Sequence, residues 1–302
     1  MSEQHLPNLI IAGVTKAGTT SVFMYLKQHP EICVSDIKET CYFLPIRYHG
    51  VQPPLEEYAK HFAEYNGQKY IMEATAGYFY GGKKVAQAIK DTVGADVKII
   101  VVLREPISRL TSFYKYLKSR LLLPQEMTLA EYVKGCEETP YAIKSNQDED
   151  VYWGVEGGFY HNFLMDWIEV FGDAFRVVFF DDIVSDANAC MKDICLWLAL
   201  DSSVYDQSAL ETENKSVNFK SGIVQQIALW INDGGEVFWR RYPTLKRSLR
   251  EFYYKLNGAT FEDEMDAATK AHLQTLFAPA NKALAVMLKE RGYTRLPKWL
   301  EL

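Results

Sequence analysis

Leu9-Ile10-Ile11-Ala12-Gly13-Val14-Thr15-Lys16-Ala17-Gly18-Thr19-Thr20-Ser21 decides how this chain is read. Leu9–Val14 is continuously apolar, bounded by glycine and too short for a core helix, so it reads as a buried parallel strand. From Ser21 the apolar positions Val22, Tyr25 and Leu26 recur at helical spacing. A strand, a tight loop and a helix N-terminus together make an anion site, because loop and first-turn amides point outward and the helix dipole favours negative charge. Thr19, Thr20 and Ser21 add hydroxyl donors, and Thr15, Lys16, Ala17 and Gly18 form the rim of the cradle.

Gly13 and Gly18 have the spacing of the Walker loop, G-x-x-x-x-G-K-[ST], but Thr19 stands where that loop has lysine. The cation here is Lys16, inside the loop. A diphosphate-like group still fits, with the lysine beside its reacting end. The plainer alternative is a glycine turn with a solvated lysine.

A chain of 302 residues that is 48% hydrophobic can bury a full core in one large α/β domain. Its net charge of −6 argues against a nucleic-acid binder that works by bulk charge. Cys33, Cys41, Cys136, Cys190 and Cys195 are an odd set without metal-ligand spacing, which favours a reducing cytoplasm and no metal. No targeting segment and no stretch of membrane-spanning length is visible.

Further strands are predicted at 70–73, 97–103 and 176–180, with helices at 19–28, 83–92, 107–122, 160–171 and 188–198. That alternation predicts an α/β fold, a P-loop-like parallel sheet flanked by helices on both faces, with a helical C-terminal part. Ligands of such sheets bind outside the carboxyl ends of the strands. The loops after Val14, Glu73 and Leu103 should therefore converge. The segment 139–158, with its glycines and the acids Asp148, Glu149 and Asp150, reads as a mobile, acceptor-facing excursion from a single domain spanning 1–302. Pro279 is expected to divide the last long apolar-periodic stretch into two helices.

The strand at 97–103 ends in Arg104-Glu105-Pro106, and Pro106 suits the first turn of the following helix. Ser112 lies a little over two turns past Arg104. An arginine fork with a hydroxyl receives a terminal phosphate well. Two anion receptors on one sheet do not suit ATP, whose phosphates form one chain. They suit a nucleotide phosphorylated at both the 5′ and 3′ ribose positions.

With these motifs the chain resembles the PAPS-dependent sulfotransferases, where PAPS is 3′-phosphoadenosine 5′-phosphosulfate. Gly13–Thr20 resembles the family's 5′-phosphosulfate loop, and Val102–Arg109 continuing to Ser112 and Tyr114 resembles its 3′-phosphate motif. Lys38-Glu39-Thr40-Cys41-Tyr42-Phe43 and Glu73-Ala74-Thr75-Ala76-Gly77-Tyr78 are similar to segments of the heparan-type enzymes and their bacterial relatives. Asn214-Lys215-Ser216 with Lys220-Ser221-Gly222 looks like their late cofactor-closing loop, and the segment from Phe277 to Leu284 like a C-terminal helix of bacterial members. The family often has proline and histidine where this chain has Thr40 and Cys41, and arginine where it has Lys220.

The resemblance implies sulfuryl transfer from PAPS to a hydroxyl or amine of a small-molecule or sugar acceptor, releasing 3′,5′-ADP (PAP) without a metal. Lys16 would stabilise the leaving nucleotide, and Thr19, Thr20 and the loop amides would hold the 5′-phosphate. Arg104 and Ser112 would hold the 3′-phosphate. Glu39 is the candidate base, and partial burial among Tyr42 and Phe43 would help raise its basicity. A histidine, His61 or His161, is the rival base. Tyr78 and Tyr160 are candidates to contact adenine or acceptor. A kinase of the P-loop type is the competing reading. It calls for a lysine after Gly18 and a magnesium carboxylate at a strand end, for which Glu73 is the nearest substitute.

Overall fold

Residues 4–206, 210, 218–219, 221–234, 249, 253, 256–259 and 265–301 are described by a computed structural model. The apolar runs become strands of one sheet: β1 (Leu9–Gly13), β2 (Ile32–Val34), β3 (Tyr70–Ala74), β4 (Lys98–Leu103) and β5 (Phe175–Phe179). Every residue of β1 and β3 is buried, and β4 is buried after Lys98. This is why these strands read as continuous apolar segments and not as alternating ones. The order is β2-β3-β1-β4-β5 with all neighbours parallel.

The chain leaves β1 toward β2 and β3 on one side, then crosses to β4 on the other. β1 is therefore the switch point, where a crevice opens at the carboxyl end of a parallel sheet. Backbone bonds extend the pairing past the strand ends: Thr75 N–H donates to Ile11 O at 3.1 Å, and Val14 N–H to Val102 O at 3.0 Å. These bonds bring the three strand-end loops together.

The strand β2 is absent from the sequence reading, since a three-residue Ile-Cys-Val segment carries no period. Pro279 does not divide the last helix, which runs unbroken from Ala267 to Glu290. An interior proline costs a helix roughly 3 kcal/mol. Burial of Phe277, Leu284 and Leu288 around it offsets that cost, at about 1.5–3 kcal/mol for each large apolar side chain.

The described chain divides into two compact units. The first, Met1–Arg109, Gly157–Asn214 and Thr275–Leu302, contains the five-stranded sheet. The second comprises Leu110–Glu156 and Lys215–Gln274. In the second unit the expected excursion is wound into a helix at Tyr141–Lys144 and a 3-10 turn at Gln147–Tyr152. Its Trp153 and Val155 are buried, and buried Lys144 pairs with Glu156 at 3.3 Å. Packed apolar side chains and a shielded ion pair give it the character of core, not of a loose loop.

Candidate active site

The loop after β1 is held by its own backbone. Ala17 N–H donates to Val14 O at 3.2 Å, and Val22 N–H to Gly18 O at 3.2 Å, which starts the helix Thr19–Leu26. Lys16 and Gly18 are both left-handed, with φ of 69° and 91°. Gly18 caps the helix with no side chain, so the first-turn amides face the loop. A Cβ on Gly18 would stand 2.8 Å from Phe180 Cδ2. Gly18→Ala is therefore expected to cost about 1–2 kcal/mol for the left-handed backbone alone, with the clash added. Chemical denaturation checks this, and an unchanged midpoint would contradict the close approach of loop and Phe180.

Arg104 follows β4 directly. Its Nη1 donates to Lys16 O at 3.2 Å, and its guanidinium lies 4.5 Å from the ring centroid of Phe180. Its own carbonyl accepts the Tyr160 hydroxyl at 2.7 Å. Lys16 and Arg104 thus meet at the carboxyl ends of adjacent strands, two cations side by side in a partly buried place. Burial, then Arg104 and Lys38, lower the Lys16 ammonium from 10.5 to about 8, against the attraction of Glu39. Burial also lowers the Arg104 guanidinium. An anion placed beside them would favour the charged form of both.

The segment after β2 adds a carboxylate. Glu39 N–H donates to Ala74 O at 2.9 Å at the end of β3, and Glu39 itself is left-handed with φ of 68°. Its Oε1 accepts Lys38 Nζ at 2.9 Å. The side chain is 46% exposed. Glu39 is thus only partly covered, and the rings of Tyr42 and Phe43 turn inward, Tyr42 to stack on Tyr58 and Phe43 to meet Tyr78 edge-on. The carboxylate sealed there is Glu73, fully buried, with Tyr58, Thr40 and Thr75 hydroxyls donating to it at 2.8, 2.9 and 2.9 Å.

A phosphate-type cradle, two strained cations and a carboxylate thus converge at the switch point of a parallel sheet. The model of the family described as "Sulfotransferase domain" matches residues 6–277. The chain belongs to the sulfotransferase domain family. Over 114 residues it is 37% identical to the membrane-associated sulfotransferase kil1 of Dictyostelium discoideum, covering 37% of this chain and 23% of that one. It is 25% identical over 268 residues to heparan sulfate glucosamine 3-O-sulfotransferase 3B1 of Mus musculus, covering 86% of this chain and 63% of that one. The chain spans less than two thirds of the length of these relatives. A sulfotransferase from Alicyclobacillus acidocaldarius shares the fold at a TM-score of 0.69 and 20% identity, covering 98% of this chain and 99% of that one.

In this sulfotransferase-family chain, Thr19 and Ser21 are buried in the first turn of the helix and Thr20 is half-buried beside them. Thr15 and Lys16 line the half-buried rim, while Ala17 packs into the core. Ser112 is half-buried on the helix Pro106–Ser119, whose start is capped by Glu105 through the amides of Ile107 and Ser108 at 3.0 and 2.6 Å. Ser221 and Gly222 belong to the second unit, where Ser221 N–H donates to Asn257 Oδ1 at 2.8 Å. Lys215, Ser216 and Lys220 lie outside the described residues.

Tyr78 and Tyr160 correct the expectation that they contact a ligand. Both rings are fully buried. Tyr78 accepts the Phe43 amide at 3.2 Å, and Tyr160 holds the Arg104 carbonyl, so both support the site from beneath. His61 pairs with Asp36 at 2.6 Å. Burial pushes the Cys41 thiol, which stands where relatives often have histidine, to about 12, so it stays protonated at neutral pH. Among the described residues no three His, Cys, Asp or Glu side chains cluster as metal ligands, and no helix is long and apolar enough to cross a membrane.

Phe180 and Thr40 are site residues that the sequence reading missed. Phe180 sits one residue past β5 in an unremarkable Phe-Phe-Asp run, and its distances from Gly18 and Arg104 reveal it. Thr40 looked like a departure from a family pattern, yet its hydroxyl lies on Glu73.

Proposed function

We propose that this chain transfers the sulfuryl group of PAPS to a hydroxyl or amine of a small-molecule or sugar acceptor. The observation that supports the proposal is the hydrogen bond from Arg104 to the Lys16 carbonyl, which puts the residues of the two candidate anion receptors side by side. A single terminal phosphate chain, as in ATP, would leave one of the two without a partner. The residues present fit such a donor. The left-handed loop and helix N-terminus suit the 5′-phosphate, Lys16 the bridging oxygen, and Arg104 the 3′-phosphate.

PAPS supplies a sulfuryl group on a good leaving group. The chain's own residues supply charge and position, which do most of the work in such displacements. Lys16 stabilises the negative charge that grows on the departing oxygen. Glu39 takes the acceptor proton. Its backbone is anchored to β3 and its charge is felt by Lys16, so it faces the same place. Lys38 holds the carboxylate in position through a 2.9 Å bond. The net charge of −6 favours a neutral or cationic acceptor over a sulfated polymer.

Thermal melting with 3′,5′-ADP and with ATP plus magnesium tests the donor. Stabilisation by 3′,5′-ADP alone is expected, and stabilisation by ATP alone would replace this reading with a kinase. Labelled PAPS incubated with cell extract, followed by mass spectrometry of the labelled product, identifies the acceptor. With that acceptor, Glu39→Gln should lower turnover by roughly 10²- to 10⁴-fold, the range for a general base. Its affinity for 3′,5′-ADP should stay within about twofold, since uniform binding is untouched. Retained turnover would move the base to His61, already oriented by Asp36.

A further inference from the structure

We infer that Glu73 is a positioning residue for the transfer, fixing the segment Glu39–Phe43 from beneath through a set of hydroxyls. This rests on the reading of Glu39 as the base. Glu73 is the penultimate residue of β3 and fully buried. Among the described residues its partners are all hydroxyls: Tyr58 on Oε1, and Thr40 and Thr75 on Oε2. A buried carboxylate without a cation is costly, and an apolar residue would serve packing better. What the carboxylate gains is geometry. An acceptor-only group makes each hydroxyl point its proton inward, which leaves the hydroxyl oxygens free to accept from elsewhere.

Those oxygens are used on the base segment. Thr75 Oγ1 accepts the Cys41 amide at 3.2 Å, and Tyr78 Oη accepts the Phe43 amide at 3.2 Å and lies 3.3 Å from Thr40 Oγ1. With the Glu39 amide on Ala74 O, the segment is pinned at residues 39, 40, 41 and 43. Two of these residues, Glu39 and Cys41, are left-handed with φ of 68° and 57°. Residues with a Cβ stay in that region only where the surroundings over-determine them. Thr40, between the two, is the one whose side chain reaches Glu73. Burial raises the Glu73 carboxyl, and the hydroxyls of Tyr58, Thr40, Thr75 and Tyr78 oppose that shift.

A double-mutant cycle tests this without an identified acceptor. Release of labelled sulfate from PAPS, with water as acceptor, is measured for the full chain and for Glu39→Gln, Glu73→Gln and the double variant. In that reaction a water oxygen bonds to sulfur, the bond from sulfur to the nucleotide oxygen breaks, and the water proton passes to Glu39. The Glu73→Gln rate should fall by roughly 10-fold or more, as a misplacement of about 1 Å does, with 3′,5′-ADP affinity and the KM for PAPS within about twofold. Added to Glu39→Gln, the same change should cost less than about twofold, because its effect passes through Glu39. Thr40→Val should follow Glu73→Gln and Thr40→Ser should restore the rate, which keeps the test intact if Glu73→Gln does not fold. An equal loss in both backgrounds, or no loss in either Glu73→Gln or Thr40→Val, overturns the inference alone. An unchanged rate in Glu39→Gln overturns the base assignment, and the positioning role with it.

Discussion

Replacing Lys16 with methionine should slow sulfuryl transfer by roughly 10³-fold, the size of effect that follows loss of one preorganised charge at a departing oxygen. The same replacement should make the ligand-free protein more stable. The folded state holds the Lys16 ammonium at about 8, below its ordinary 10.5, because burial, Arg104 and Lys38 oppose its charge. Between those two values the unfolded chain binds more protons than the folded one, so stability rises as pH climbs from about 8 to 10.5. Below about pH 8 the charged lysine penalises the fold in full, by about 3 kcal/mol at 1.36 kcal/mol per tenfold change. Methionine fills the same space without charge and removes the penalty. Urea denaturation at neutral pH and near pH 10 checks the prediction: the gap between the two proteins should close at the higher pH. A gap that stays constant would mean that Lys16 is solvated and unstrained.

Binding should carry the opposite sign. Near pH 8 a large share of Lys16 is neutral in the free protein, and a phosphate or sulfate group recruits the missing proton. Calorimetry of 3′,5′-ADP in buffers of different ionisation enthalpy should therefore show proton uptake in this range. Lys16→Arg remains charged throughout and should show none.

The sheet was legible because its central strands are buried on both faces, and such strands announce themselves as unbroken apolar runs: Leu9 to Val14 and Val97 to Leu103. The anion loop was legible because its glycines and hydroxyls are needed within a few residues of one another. Site parts that are remote in sequence were not. Phe180, just past β5, approaches Gly18 from the far side of β4, and Glu73 meets Thr40 from 33 residues away. The buried carboxylate illustrates the limit. The sequence pointed to Glu39 as a carboxyl partly buried among Tyr42 and Phe43, and it gave no sign that a second carboxyl, Glu73, lies buried under the same segment. Only the fold shows that β3 brings Glu73 to the hydroxyls of Tyr58, Thr40 and Thr75 while Glu39 stays 46% exposed. Pro279 marks a related failure, where burial overrides a residue's local preference.

Arg104→Met should remove the preference for a 3′-phosphate. The affinity for 3′,5′-ADP is expected to fall by roughly 10- to 150-fold, as for loss of charged hydrogen bonds worth about 1.5–3 kcal/mol. Affinity for 5′-AMP, which uses the loop alone, should change by only a few fold. That residual change measures the 3.2 Å bond from Arg104 to the Lys16 carbonyl, which shapes the loop as well as receiving a ligand. Arg104→Lys keeps the charge, loses the fork and the stacking on Phe180, and should fall between the two. Competition binding of the two nucleotides to each variant gives the ratio directly. An equal loss for both nucleotides would make Arg104 a brace for the loop and leave the 3′-phosphate to another cation. Arg104 also depresses the Lys16 ammonium, so its removal should shift Lys16 back toward its ordinary value. Proton uptake on binding near pH 8 should then shrink in Arg104→Met, even for 5′-AMP, which never touches position 104. A brace that was not also a neighbouring charge would leave that uptake unchanged, so the two measurements separate what Arg104 holds from what it repels.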